Sequence, residues 1–219
     1  MIVAGSPSGE ESAKIDPAAA QLLSRAATVA DVKPATDVRD DQWIYVKTAG
    51  TQTSPAEGAK DAKFTRQDWQ AVDGKHDGLF ILNGQKVRND ADPISTTYRE
   101  LQALPADPGA LLKKLYADTG GQGPTHGSAV FEAIGSMLGE ASLLPDVEAA
   151  LYRAAAKVPG TTVVNDAAGR HGIGISFTYT KSDKEPTTWV FDKKTLSYLG
   201  SNEVAVLDVG IADARGVTP

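Results

Sequence analysis

The chain contains no cysteine. Disulfides, thiolate metal sites and cysteine nucleophiles are therefore excluded, although the cellular compartment stays open. Histidine is nearly as scarce. Only His76, His126 and His171 occur, and no two are spaced to bind one metal from a helix turn. No apolar run approaches membrane-spanning length. There is no basic block, and the net charge is −6, so neither nucleic-acid phosphates nor an anionic lipid surface finds a counter-surface. Lys113-Lys114 and Lys193-Lys194 read as solvated positions.

What is present suffices for one large core. The chain has 219 residues and an ordinary apolar fraction of 41%. Residues 1–15 read as a flexible tether: an apolar Met1 to Gly5 followed by a Ser-, Pro-, Gly- and Glu-rich stretch. Residues 16–219 read as a single domain. Asp16-Pro17 opens a first helix, with Leu22, Leu23, Ala26 and Val29 as its apolar stripe. Gln42 to Gly50, Lys63 to Val72 and Gly78 to Leu82 read as strands, with Thr51 to Ala62 as a loop. Asn83-Gly84 is a tight-turn signal.

Four helices follow. Their expected spans are Ser95 to Leu104, Gly109 to Tyr116, Ser128 to Glu140 and Pro145 to Val158. Thr161 to Val164 is a β-branched strand, ended by turn chemistry over Asn165 to Gly169. Ile173, Ile175, Phe177 and Tyr179 alternate with small residues, Trp189 and Phe191 share a strand face, and Leu196 to Leu199 starts another short strand. Segregated blocks of strands and helices predict an α+β fold. We expect the early and late strands to share a curved, largely antiparallel sheet of seven to eight strands with helices packed on one face.

Catalytic signals are weak. His76 lies among Asp73, Gly74 and Asp77 and reads as a surface turn rather than an acid/base pair. His126 stands near Ser128 without a nucleophile elbow, so helix capping by Thr125 or Ser128 is expected there. His171 follows a turn. Asn89 to Asp92 lacks the spacing of a calcium loop. Gly120 to Gly123 lacks the lysine and hydroxyl of a phosphate loop. No catalytic residue, metal ligand or cofactor site is assigned. The aromatic set on predicted strands is the one binding candidate: Trp43, Tyr45, Trp69, Phe80, Phe177, Trp189 and Phe191, with Tyr179 alongside. Core packing is its ordinary use. The sharper alternative is an apolar cavity that accepts a lipid or another hydrophobic small molecule.

Five phrases carry a resemblance: Asp41 to Val46, Leu104 to Leu112, Ala150 to Gly160, Asp166 to Gly172 and Phe191 to Gly200. Together they resemble an uncharacterised actinobacterial family of single-pass membrane-anchored proteins, over nearly all of the chain after Asp16. The resemblance implies an exported domain, anchored through a segment absent from this chain and distantly similar in element order to lipoprotein-carrier and sigma-regulator sensor folds. It carries no established activity. The expectation is a non-enzymatic, extracytoplasmic, membrane-anchored domain that senses or binds a hydrophobic ligand or envelope component. A protein–protein module coupling the exterior to a regulator, through a protein partner at the envelope, is the alternative. A hydrolase is the third reading, and it requires His76 or His126 beside a carboxylate and a hydroxyl.

Overall fold

A computed structural model describes residues 14–52, 62–89, 97–167, 172–177 and 187–219. Residues 1–13 of the expected tether, most of the loop after the first strand, Asp90 to Asp92, His171, Tyr179 and Lys181 to Pro186 lie outside the described residues.

The first helix, α1 (Pro17–Asp31), begins as its sequence dictates. The Asp16 carboxylate accepts from the Ala18 amide at 2.9 Å, and Pro17 occupies a first-turn position where no amide is needed. Strands β1 (Trp43–Gln52), β2 (Ala62–Ala71), β3 (Gly78–Leu82) and β4 (Gln85–Asn89) form successive antiparallel pairs. The β3–β4 turn is Asn83-Gly84, both at positive φ (50° and 82°), the geometry that asparagine and glycine supply most cheaply. Four helices follow: α2 (Tyr98–Gln102), α3 (Pro108–Asp118), α4 (His126–Ala141) and α5 (Pro145–Ala155). Thr97 caps α2, Asp107 caps α3, and Thr125 with Ser128 forms a reciprocal cap on α4. Strands β5 (Thr161–Ala167), β6 (Gly172–Phe177), β7 (Thr188–Phe191), β8 (Tyr198–Ser201) and β9 (Val204–Ala212) complete the chain.

The nine strands of the described residues join one antiparallel sheet, ordered β4-β3-β2-β1-β9-β8-β7-β6-β5. The expected union of early and late strands is therefore present, through the β1–β9 pairing. The strand count exceeds the seven to eight expected. The first block holds four strands rather than three, because β4 escapes pattern reading: Val87 is its only apolar residue, and an edge strand needs no second one. Two boundaries also shift. β5 continues to Ala167 instead of turning at Asn165, and β8 starts at Tyr198, with Leu196 held before it in a turn at positive φ.

The main core lies between the helices and one sheet face. Ile44, Ile175, Phe177, Trp189 and Phe191 from the sheet meet buried residues of α1, α3, α4 and α5. Helix α5 is buried on nearly every side, as its alanine-rich sequence permits. Its one buried acid, Glu148, accepts from Lys33 Nζ at 2.6 Å and from the Tyr152 hydroxyl at 3.0 Å. Those two partners keep a carboxylate tolerable in an apolar layer. Burial, then the adjacent Glu148 charge, raises the Tyr152 phenol well above its ordinary value and keeps it a donor.

Candidate functional site

Because side chains alternate across a strand, the β1–β2 register decides what faces the helices. Ile44, Val46 and Thr48 point to the helix side, and their partners Gln70, Asp68 and Arg66 share that side. Strand β2 therefore presents polar groups where a packed core would demand apolar ones. Opposite it stands α4, with Gly127, Phe131, Gly135 and Gly139 spaced four apart along one face. Each glycine shapes the gap differently. A Cβ on Gly135 would come within 2.6 Å of Trp189 Nε1, so the missing side chain lets the indole tuck against the helix. A Cβ on Gly139 would meet nothing nearer than Val206 Cγ2 at 4.0 Å, so space remains there.

The result is a cleft of about 490 Å³ between α4 and the sheet. Ile44, Val46, Val204 and Val206 give it an apolar floor, and Trp189 and Tyr198 wall one end. Arg66, Asp68, Glu132, Glu140 and Glu203 supply its charge. Arg66 is already committed: its Nη2 donates to Asp68 Oδ1 at 2.6 Å, its Nε reaches both carboxylate oxygens at 2.8 and 2.9 Å, and its guanidinium carbon stands 4.4 Å from the Phe80 ring centre. Glu140 differs. No hydrogen bond from a described residue reaches its carboxylate. It keeps some exposure to the cleft, yet protein atoms crowd it on most sides. That burial, reinforced by the negative charge of Asp68, raises its carboxyl from 4.5 to about 7.

The aromatic residues proposed from sequence do not converge on one cavity. Phe177, Trp189 and Phe191 face the helices, where Trp189 stacks on Phe131 at 3.9 Å and Phe191 meets Tyr152 edge-on. Trp43, Tyr45 and Trp69 belong to a second, smaller cluster with Leu79, Ile81 and Ala212. There Tyr45 and Trp69 pack with ring centres 5.0 Å apart, and the Trp69 indole donates to the Val217 carbonyl at 2.7 Å. Phe80 lies under Arg66. Of the seven, Trp189 walls the cleft, and Trp69 borders it although its ring packs in the second cluster on the reverse face of the sheet.

Sequence reasoning missed Asp68, Glu140 and Gly139. Their signal was available as polar residues at every second position of Arg66-Gln67-Asp68-Trp69-Gln70, and as Gly127, Gly135 and Gly139 falling on one four-residue period of α4 that only Phe131 interrupts. The histidines stand elsewhere. His76 is exposed, with Nδ1 3.1 Å from Asp73, and His126 is exposed at the start of α4. Ser128 is occupied by the helix cap. Among the described residues no cluster of three metal-ligating side chains occurs, and no helix is long and apolar enough to cross a membrane.

In comparisons with known proteins, no family model, no curated protein and no solved structure matches this chain.

Proposed function

We propose that the chain is a non-enzymatic ligand-binding domain of the cell envelope, extracytoplasmic and held at the membrane, and that the cleft between α4 and the sheet receives the ligand. One observation carries the binding part of this reading: a cleft of about 490 Å³ with an apolar floor and a few polar groups on its walls. Small-molecule sites have that size and that mixture. The envelope location rests on the family resemblance of the five sequence phrases.

Gly139 makes the test direct. Its helical position leaves open space at Cβ, so Gly139→Leu places a side chain in the cleft without striking the backbone. Native mass spectrometry of gently purified protein should show a bound small molecule that the Gly139→Leu variant has lost. An unliganded mass alone, recovered repeatedly, or a bound mass that the leucine leaves untouched, would refute the assignment of the cleft.

A further inference from the structure

The ligand class can be narrowed, on the premise that the cleft is the binding site. Three features of the cleft decide its charge preference. The first is that its guanidinium is spent: Arg66 grips both oxygens of Asp68 and lies over Phe80. An incoming anion would have to break that bidentate pair. The second is Glu140, whose carboxylate lines the cleft with no hydrogen bond from any described residue. Crowded carboxylates are normally paired, since an unpaired one pays its desolvation without return. The third is the Trp189 indole. Trp189 is only 1% exposed, its Nε1 abuts Gly135 in the cleft wall, and no described residue accepts from it. Among the described residues only the Tyr98 hydroxyl is a fully buried side-chain polar atom without a partner, so the Trp189 N–H keeps an opening, and Trp189 borders the cleft, where a ligand acceptor can reach it.

Glu140 and the Trp189 N–H are of opposite kind, an acceptor and a donor, and both residues line the same cleft. Gly135 and Glu140 are five residues apart, about 7 Å along the axis. Val46 and Val206 belong to the apolar floor of that cleft. We infer that the cleft recognises an amine-bearing amphiphile: an organic ammonium that donates to Glu140 beside Asp68, attached to an apolar body that lies on the valine floor and carries an acceptor for the Trp189 N–H. The ammonium supplies the donors Glu140 lacks, and its positive charge relieves the repulsion between the two carboxylates.

Titration follows from the same arrangement. The groups that line the cleft with Glu140 are Arg66 and Asp68 on β2, Glu132 on α4, Tyr198 on β8 and Glu203 in the β8–β9 turn. Glu140 is the one raised to about 7. Its ionisation, not that of the ligand, should set the pH dependence, because an alkylammonium stays protonated well beyond that value, as lysine does.

The experiment compares three probes of one chain length, n-octylamine, octanol and octanoate, by isothermal titration calorimetry. At about pH 8, octylammonium should bind at least about tenfold more tightly than octanol, the range of a charge-assisted hydrogen bond, and octanoate more weakly than either. The ammonium preference should shrink at about pH 5, where Glu140 is protonated. Glu140→Gln should bring the octylammonium-to-octanol affinity ratio at about pH 8 close to one. Equal binding of amine and alcohol, or a preference that survives Glu140→Gln, would overturn the cation assignment while leaving the cleft as a binding site. Failure of all three probes, with Gly139→Leu indistinguishable from the parent, would bring down the binding-site reading itself.

Discussion

The two halves of the sheet solve the same problem in opposite ways. Under α1, α4 and α5, the β5–β7 half turns Ile175, Phe177, Trp189 and Phe191 toward the helices and builds a dry, aromatic interior. At the other half, β2 turns Arg66, Asp68 and Gln70 to that side and keeps its aromatic Trp69 for the reverse face. There the chain after β9 folds back to cover it, with Val217 accepting from Trp69 and Pro219 against Gly210. One half is thus designed around exclusion of water and the other around a retained gap. The gap is no packing failure, since its polar walls and its glycines are local choices of sequence.

The contrast can be broken most severely in the dry half. Phe131→Ala removes the ring stacked on Trp189 and should cost about 3–5 kcal/mol of stability, measured by chemical denaturation. A loss under about 1 kcal/mol would mean that the interior is not packed as described.

Charge in the gap gives a second, intermediate effect whose sign depends on pH. Glu140 has a folded value of about 7 against 4.5 for its ordinary state. The fold therefore binds the extra proton between those values. Glu140 is fully tolerated below the lower value, and stability is lost as pH rises through the upper one. Glutamine cannot ionise. Glu140→Gln should match the parent near pH 4 and exceed it near pH 8 by about 1–3 kcal/mol. Melting curves at the two pH values check this, and a pH-independent difference would show that the carboxylate is not desolvated.

The smallest effect should come from the reverse face. Trp69→Phe keeps most of the apolar area and removes the bond to Val217, for an expected loss of about 1 kcal/mol. Proteolysis of the C-terminal residues should quicken at the same time. Unchanged cleavage would mean that the indole does not hold that segment.

Much of this architecture is legible in the residues. Asp16-Pro17 places α1, Asn83-Gly84 places the β3–β4 hairpin, and the Ile173 to Phe177 alternation places a core strand. Strand β4 is not legible, because a lone Val87 carries no period. The aromatic set was recognisable as structural but not as two clusters. Alternation assigns Trp43 and Tyr45 to one face of β1 and Trp189 and Phe191 to one face of β7, yet which faces coincide depends on pairing between distant strands. The candidate site was hidden for the same reason. Asp68 and Glu140 are far apart in the chain, and only the sheet register and the placement of α4 bring them to one cleft.

Strand β9 sits between β1 and β8, so the oldest and youngest ribbons of the nascent polypeptide share a seam that cannot close until residues 204–212 have left the ribosome. Such sequence-distant pairing is slow to form, and until it does the inner edge of β1 is an open template for misassembly. Completion of the sheet is thereby bound to arrival of β9, so a polypeptide stopped before residue 204 would hold two ribbons with nothing to join them.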